Sequence, residues 1–338
     1  LTMVRRTAPP ALIAILVSVA SVCILAPNGR RTKKEEDATR PAAVIWREQR
    51  DVASLSLFYG AGGKRHAPDP HEEYFFVRED LNGRSPKFDI VDSRGVEWRA
   101  KLGEEAQPEV AATRLLWAAG YFVDEDYYLQ GIKVIGLPEL HRGNQYVSPD
   151  GTVRGARLER RLEGVKKLGN WDWFNNPFLG TRELNGLRVM MSLVNNWDLS
   201  AANNAIYLVG TERRFLVSDV GATFGETGNY FTRSKGNLTD YASSDFIRRV
   251  TTDYVDFEMR SRPFFLSVLD PPVYRERTRM EAITRHIPRA DAKWLGQRLS
   301  RLSRRQIREC FRAAGYTAEE VDGYTNAIRR RIADLKAL

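Results

Sequence analysis

The sequence predicts an α+β protein, with a β-rich N-terminal half followed by a mainly α-helical C-terminal half. Three observations carry this. Between Glu73 and Leu102, three β-prone runs are separated by turn residues; Thr181–Asn195 has helical periodicity; and two capping boxes, Ser303-Arg-Arg-Gln306 and Thr317-Ala-Glu-Glu320, open the last helices. At 338 residues, 43% hydrophobic and 28% charged, the chain has a globular composition and suits one large domain or two modest ones. Its formal net charge of +9 favours anionic partners: nucleotide phosphates, acidic polymers or membrane surfaces.

The elements follow in order. Arg5 and Arg6 precede the apolar run Ala11–Ala26, so residues 1–27 are expected to form a signal peptide or membrane anchor, and the protein to be membrane-anchored or exported. Arg30, Arg31, Lys33, Lys34 and Arg40 weigh toward a cytoplasmic body by the positive-inside rule, leaving the side of the membrane open. Residues 28–50, polar and without apolar period, read as a linker. The runs Tyr74–Arg78, Lys87–Val91 and Val96–Leu102 predict an antiparallel meander, and Pro108 opens a helix that Gly120 closes. Tyr127–Leu129, Ile132–Ile135 and Val153–Leu162 read as further strands, which completes a sheet-dominated part over 51–170. The second part, 171–338, starts with an aromatic packing loop, Trp171–Phe178, and the Thr181–Asn195 helix. Ile206–Val209 and Phe215–Val217 then form a hairpin, and from Phe246 the pattern is mostly helical.

Several features carry no chemistry. Cys23 and Cys310 support neither a disulfide framework nor a zinc cluster, and the four histidines lack metal-ligand spacing. Gly60-Ala61-Gly62-Gly63-Lys64 lacks the strand and spacing of a phosphate cradle and reads as flexible linker. The Arg304-Arg305 and Arg329-Arg330-Arg331 clusters read as solvated helix faces, and no aromatic-interleaved basic motif points to nucleic acid.

The informative segment is Asn195-Asn196-Trp197-Asp198-Leu199-Ser200-Ala201-Ala202-Asn203-Asn204. Phosphoryl transfer needs a carboxylate to orient and deprotonate the attacking hydroxyl, and oxygen ligands to hold magnesium against the triphosphate. Asp198 suits the first role and Asn203 the second. The hairpin returns the chain so that Asp219, in Ser218-Asp219-Val220-Gly221, can share a metal site with Asn203. Upstream, strand alternation sets Lys101 on the face opposite Ala100 and Leu102, where it could hold phosphates. The helix after the strand offers Glu109 as its partner, with Glu105 as the weaker substitute.

The order Lys101, Glu109, Asp198, Asn203, Asp219 resembles that of the atypical branch of the protein-kinase-like superfamily. Asp219-Val220-Gly221-Ala222-Thr223-Phe224-Gly225 is similar to a stretch of FAM20-type secretory kinases, and more loosely to HipA-type and phosphatidylinositol 4-kinases. The resemblance implies a two-lobed protein-kinase-like fold and an ATP-dependent phosphotransferase using Mg2+, or Mn2+. Lys101 and Glu109 would serve the nucleotide, Asp198 and Lys101 catalysis, and Asn203 and Asp219 the metal. The acceptor would be a hydroxyl, first of protein Ser/Thr, then of a lipid or small molecule. Two departures motivate a rival, a pseudokinase acting as a membrane-tethered scaffold. Ser200 stands where common protein kinases carry Lys, and the Asp80–Pro86 loop, where the resemblance places the phosphate-covering loop, holds a single glycine.

Overall fold

The computed structural model describes residues 41–226, 234–259 and 266–338. The Ala11–Ala26 run and the basic stretch after it lie outside the described residues. Strands come first. β2 (Glu73–Glu79), β3 (Lys87–Val91), β4 (Glu97–Leu102), β5 (Asp126–Ile135) and β6 (Thr152–Arg160) close a barrel in the order β2-β3-β4-β6-β5. The expected meander is β2-β3-β4, and the two runs expected across 127–135 form one strand. Closure comes from a parallel seam between β2 and β5, with Tyr74 opposite Val134, so the barrel is not purely antiparallel. Its interior is filled by alternate residues, among them Phe88, Ile90, Trp98, Ala100, Leu102, Ala156 and Leu158, all buried. The same alternation turns Arg99 and Lys101 outward.

The helix α1 (Ala106–Ala118) follows β4 directly. It carries a broader buried surface than one stripe: Val110, Ala111, Ala112, Leu115 and Leu116 all join the larger hydrophobic core, whereas the barrel keeps a core of its own. After β6 the chain leaves the barrel. β7 (Lys166–Gly169) pairs with β8 (Asn204–Val209), which forms the expected hairpin with β9 (Glu212–Val217). The linker expected over 28–50 ends earlier than composition indicated. Ala42–Val44 is a strand, β1, parallel to β9, and Trp46 Nε1 donates to the Ala119 carbonyl at 2.8 Å. Three residues are enough for such a strand, too few to show an apolar period.

The C-terminal part is mainly helical: α2 (Arg182–Leu193), α3 (Leu238–Ser243), α4 (Leu266–Leu269), α5 (Pro271–Ala282), α6 (Arg289–Leu299), α7 (Arg304–Ala313) and α8 (Ala318–Ala337). From Phe246 the described residues are mostly helical, as expected, with one small sheet of β10 (Ile247–Val250), β11 (Tyr254–Phe257) and β12 (Ile287–Pro288) that the pattern did not show. Both capping boxes form as read, each with reciprocal side-chain and backbone bonds.

Two other sequence readings change. The 60–64 glycines are not a flexible linker, since a Cβ on Gly60 would collide with the Arg114 guanidinium and Tyr127 Oη donates to the Gly63 carbonyl at 3.0 Å. Within the 329–331 cluster, Arg331 is buried. Its Nη1 donates to the Ser192 and Leu193 carbonyls (3.2 and 3.0 Å) and its Nη2 to Ser244 Oγ (2.7 Å), and its guanidinium lies 4.1 Å from the Tyr241 ring centroid. At the C-terminal end of α2 these bonds add to those the same carbonyls receive from the Asn195 N–H (Ser192, 3.1 Å) and from Tyr241 Oη (Leu193, 2.5 Å). Arg331→Ala is expected to lower unfolding free energy by about 3 kcal/mol, by removing several charge-assisted bonds and the packing of the guanidinium on the Tyr241 ring. Denaturant titration measures it, and a loss under a few tenths of a kcal/mol would contradict the assignment.

Candidate active site

The site begins where α2 stops. Asn195 takes a left-handed φ of 52°, its N–H donates to the Ser192 carbonyl, and the Asn196 N–H reaches back to Met191. This pair of bonds is the Schellman stop, and Asn is one of the few side chains that tolerates its left-handed position. The chain therefore leaves the helix sharply, and Trp197 and Asp198 follow. Ser200 then caps a single 3-10 turn, its Oγ accepting from the Ala202 N–H at 3.3 Å. That turn delivers Asn203 to the start of β8.

Asn203 and Asp219 are joined through the backbone. The Ser218 and Asp219 N–H groups both donate to the Asn203 carbonyl, at 2.8 and 3.0 Å. Asn203 Nδ2 donates to the Asp198 carbonyl at 2.8 Å, which turns Oδ1 of that amide away from it. The Asp219 carboxylate is 46% exposed and accepts from the Gly221 N–H at 3.2 Å. Gly221 is required by space: a Cβ there would lie 2.7 Å from Glu105 Cβ.

Lys101 completes the cluster. Its buried Nζ donates to Asp219 Oδ1 at 3.1 Å and to Glu109 Oε2 at 3.0 Å, and pairs with Glu105 Oε2 at 2.7 Å. Glu105 and Glu109, set against each other in the sequence reading, both bind it. Burial disfavours the Lys101 charge, but Glu109, Asp219 and Glu105 outweigh it and push its pKa up. Glu109 is fully buried, and burial raises its pKa against the pull of Arg157 and Lys101. Arg157 stands opposite Lys101 in the β4–β6 register, its Nη1 at 2.7 Å from Asp126 Oδ1. Sequence reasoning missed Arg157, although strand pairing places it on the same outward face. It also missed Lys235, 2.5 Å from Glu105 Oε1, and Arg277, 3.0 Å from Asp198 Oδ1, for which no local pattern exists.

A cavity of about 560 Å3 lies along the barrel's outer face, lined by none of Lys101, Glu105, Glu109, Asn203 or Asp219. Asp89 and Glu159 line it from the barrel's outer face, Tyr207 and Leu216 from the hairpin, and Asp124 from the α1–β5 connection. Ser218 Oγ donates to Asp124 Oδ2 at 2.5 Å, which ties this cavity to the residue before Asp219. Burial, and then the Glu159 and Asp126 charges, raise the Asp124 pKa well above the usual carboxylate range. A cavity of this size suits a small organic ligand such as a nucleoside.

Among the described residues, no three His, Cys, Asp or Glu side chains converge as a metal cage. Mg2+ bound against phosphates does not need one, because one or two protein oxygens with retained water suffice. The exposed Asp219 carboxylate and the Asn203 amide oxygen are hard oxygen donors of that kind.

No protein-family model matches the sequence, and no curated protein matches it. Among solved structures, the chain is similar to a Helicobacter pylori proinflammatory kinase, CtkA, at TM-score 0.42 and 10% identity, covering 78% of this chain and 96% of that one. It is likewise similar to the Golgi casein kinase with Mn/ADP bound, at TM-score 0.42 and 8% identity, covering 86% and 76%. Likeness at this level leaves the site to be read from its own atoms.

Glu105 offers a direct test of the ion cluster. Burial raises its pKa, but Lys101 and Lys235 prevail and hold it below the ordinary 4.5. The stability its charge adds is thus fully present above that pH and is lost as pH falls below it. Glu105→Gln is expected to cost about 1–3 kcal/mol at pH 7, with the gap closing toward pH 3. Denaturant titrations at both pH values check this; an undiminished gap in acid would exclude the ionic cause.

Proposed function

We propose that this protein is an ATP- and Mg2+-dependent phosphotransferase of the protein-kinase-like type, acting on a hydroxyl acceptor, first of protein Ser/Thr. One observation carries the reading. A strand lysine, a helix glutamate and a loop aspartate converge within 3.2 Å although Asp219 lies 118 positions beyond Lys101. In this reading Lys101, aimed by Glu109, binds the phosphates of a nucleotide whose base occupies the cavity along the barrel's outer face. Asp198 orients the acceptor hydroxyl and takes its proton, while Asn203 and Asp219 would hold Mg2+. When bound, the metal neutralises charge on the β- and γ-phosphates. The smaller cavity of about 130 Å3 beside Leu199–Ala201, bordered by Glu276 and Arg279, is a route for the acceptor.

The test has two stages. Wild-type protein should be stabilised thermally by ATP only with Mg2+ or Mn2+ present, and should transfer labelled phosphate to a Ser/Thr protein panel. Asp219→Ala is expected to lower transfer about 100-fold or more, and Lys101→Met similarly. Absence of any metal-dependent nucleotide shift in the wild type would overturn the reading.

Arg277 favours a second reading, a pseudokinase scaffold, because its guanidinium occupies one oxygen of Asp198. If that pair silences the base, wild type binds nucleotide without transfer, and Arg277→Ala gains transfer. Wild-type transfer would exclude the scaffold. We further propose that the chain is membrane-anchored or exported, on the strength of the Ala11–Ala26 run. A C-terminal reporter fusion reads which side of the membrane the body occupies.

A further inference from the structure

The catalytic-loop segment holds Ser200 where common protein kinases carry a lysine, and Ser200 is occupied in capping the 3-10 turn. No other lysine or arginine lies between Asp198 and Asn203. Yet transferring a phosphoryl group spreads negative charge over its oxygens, and a positioned cation there is worth far more than in water. A second cation does stand at the site, supplied from well beyond the loop.

Lys235 belongs to a short segment clamped between the two loops that carry Asp198 and Asp219. Trp197 Nε1 donates to the Ser234 carbonyl at 3.2 Å, and the Gly236 and Asn237 N–H groups donate to the Thr223 and Phe224 carbonyls at 2.9 and 2.7 Å. The backbone on either side of Lys235 is therefore held by both loops. Its Nζ lies 5.5 Å from the centroid of the Trp197 ring, next to Asp198 in sequence. The same Nζ is 2.5 Å from Glu105 Oε1, whose other oxygen holds Lys101 at 2.7 Å and accepts from Ser85 Oγ at 2.6 Å. Ser85 comes from the Asp80–Pro86 loop, where a phosphate-covering loop was expected. One carboxylate thus joins the two ammonium groups and that loop.

We propose that Lys235 is the cation that meets the transferred phosphoryl group, in place of the lysine that Ser200 displaces. This rests on the phosphotransferase reading. In the step, the bond from the γ-phosphorus to the β–γ bridging oxygen breaks as the acceptor oxygen bonds to phosphorus. The acceptor proton goes to Asp198, and ADP leaves. Lys235 donates hydrogen bonds to the phosphoryl oxygens and keeps its own protons. Glu105 is its resting partner, exchanged for phosphate oxygens when the nucleotide enters. As a purely structural contact, a partly exposed ion pair of this kind contributes little. Its position between both loops is what a structural role leaves unexplained.

The full chain and its Lys235→Met and Lys235→Arg variants distinguish these roles. Thermal shift titrations with Mg2+ and ADP, with and without fluoroaluminate as mimic of the planar phosphoryl group, are paired with ATP turnover using water or a Ser/Thr protein panel as acceptor. Lys235→Met is expected to bind ADP within about two-fold of wild type, to lose about ten-fold or more in fluoroaluminate-dependent affinity, and to lose about 100-fold in kcat. Lys235→Arg should recover part of both. Unchanged fluoroaluminate affinity in Lys235→Met overturns the proposal, as does an equal loss of ADP affinity, which marks a structural role. A wild type that binds no nucleotide overturns the phosphotransferase reading and this proposal together, whereas a nucleotide-binding wild type matched by Lys235→Met overturns this proposal alone.

Discussion

The ammonium of Lys101 is the joint on which the site depends. It is carried by a barrel strand, and its three carboxylate partners come from the start of α1 and from the loop after the β8–β9 hairpin. Burying one cation without partners would cost several kcal/mol, so the native place of the strand depends on those carboxylates being present. Arg157 extends the arrangement along the sheet, through Glu109 at 3.4 Å and Asp126. Some atoms stay unmatched: Glu109 Oε1 and Asp126 Oδ2 are buried without a hydrogen-bond partner. Unpaired acceptors of this kind are costly in a dry interior and concentrate where a protein has chemistry to perform.

A second constraint is the lacing of two loops. The Trp197 N–H donates to the Ala222 carbonyl, the Phe224 N–H to Val194, and Asn195 Nδ2 to the Gly225 carbonyl. Asp198 and Asp219 are thereby held on backbones that brace one another. Two residues outside glycine accept positive φ in this lattice, Asn195 and Phe224. For a bulky aromatic that conformation is strained, and it persists because its surroundings over-determine it. Gly225 shows how close the packing is, since a Cβ would fall 2.1 Å from the Ser234 carbonyl oxygen.

Much of this was legible in the residues. Period-two alternation gave the barrel strands and set Lys101 on the face opposite Ala100 and Leu102, and the capping boxes located α7 and α8. The acidic and amide residues of the 195–219 stretch were legible because their spacing on one loop and one hairpin is short-range. What stayed hidden has a common cause. Lys235, Arg277 and Arg331 look like surface cations in sequence, and only the meeting of distant segments turns them inward or onto a carboxylate. The parallel closure of β2 on β5 and the short β1 strand were hidden likewise, because pairing partners far apart leave no local periodicity. Gly60 and Gly62 misled for the opposite reason: a glycine run reads as flexible unless the bulk packed against it, here Arg114 and Tyr127, is known.

Phe224 anchors the loop that carries Asp219. Its ring is fully buried within 5.2–5.6 Å of Tyr241, Phe311 and Tyr324, from three different helices, and extracting it would cost about 3–5 kcal/mol. The helix bearing Glu109 is equally committed, with its apolar residues in the core of the helical part. Moving the Asp219 loop or swinging that helix outward would therefore mean drawing these side chains out of the core, so the placement of Asp219 and Glu109 is tied to the packing of the helical part.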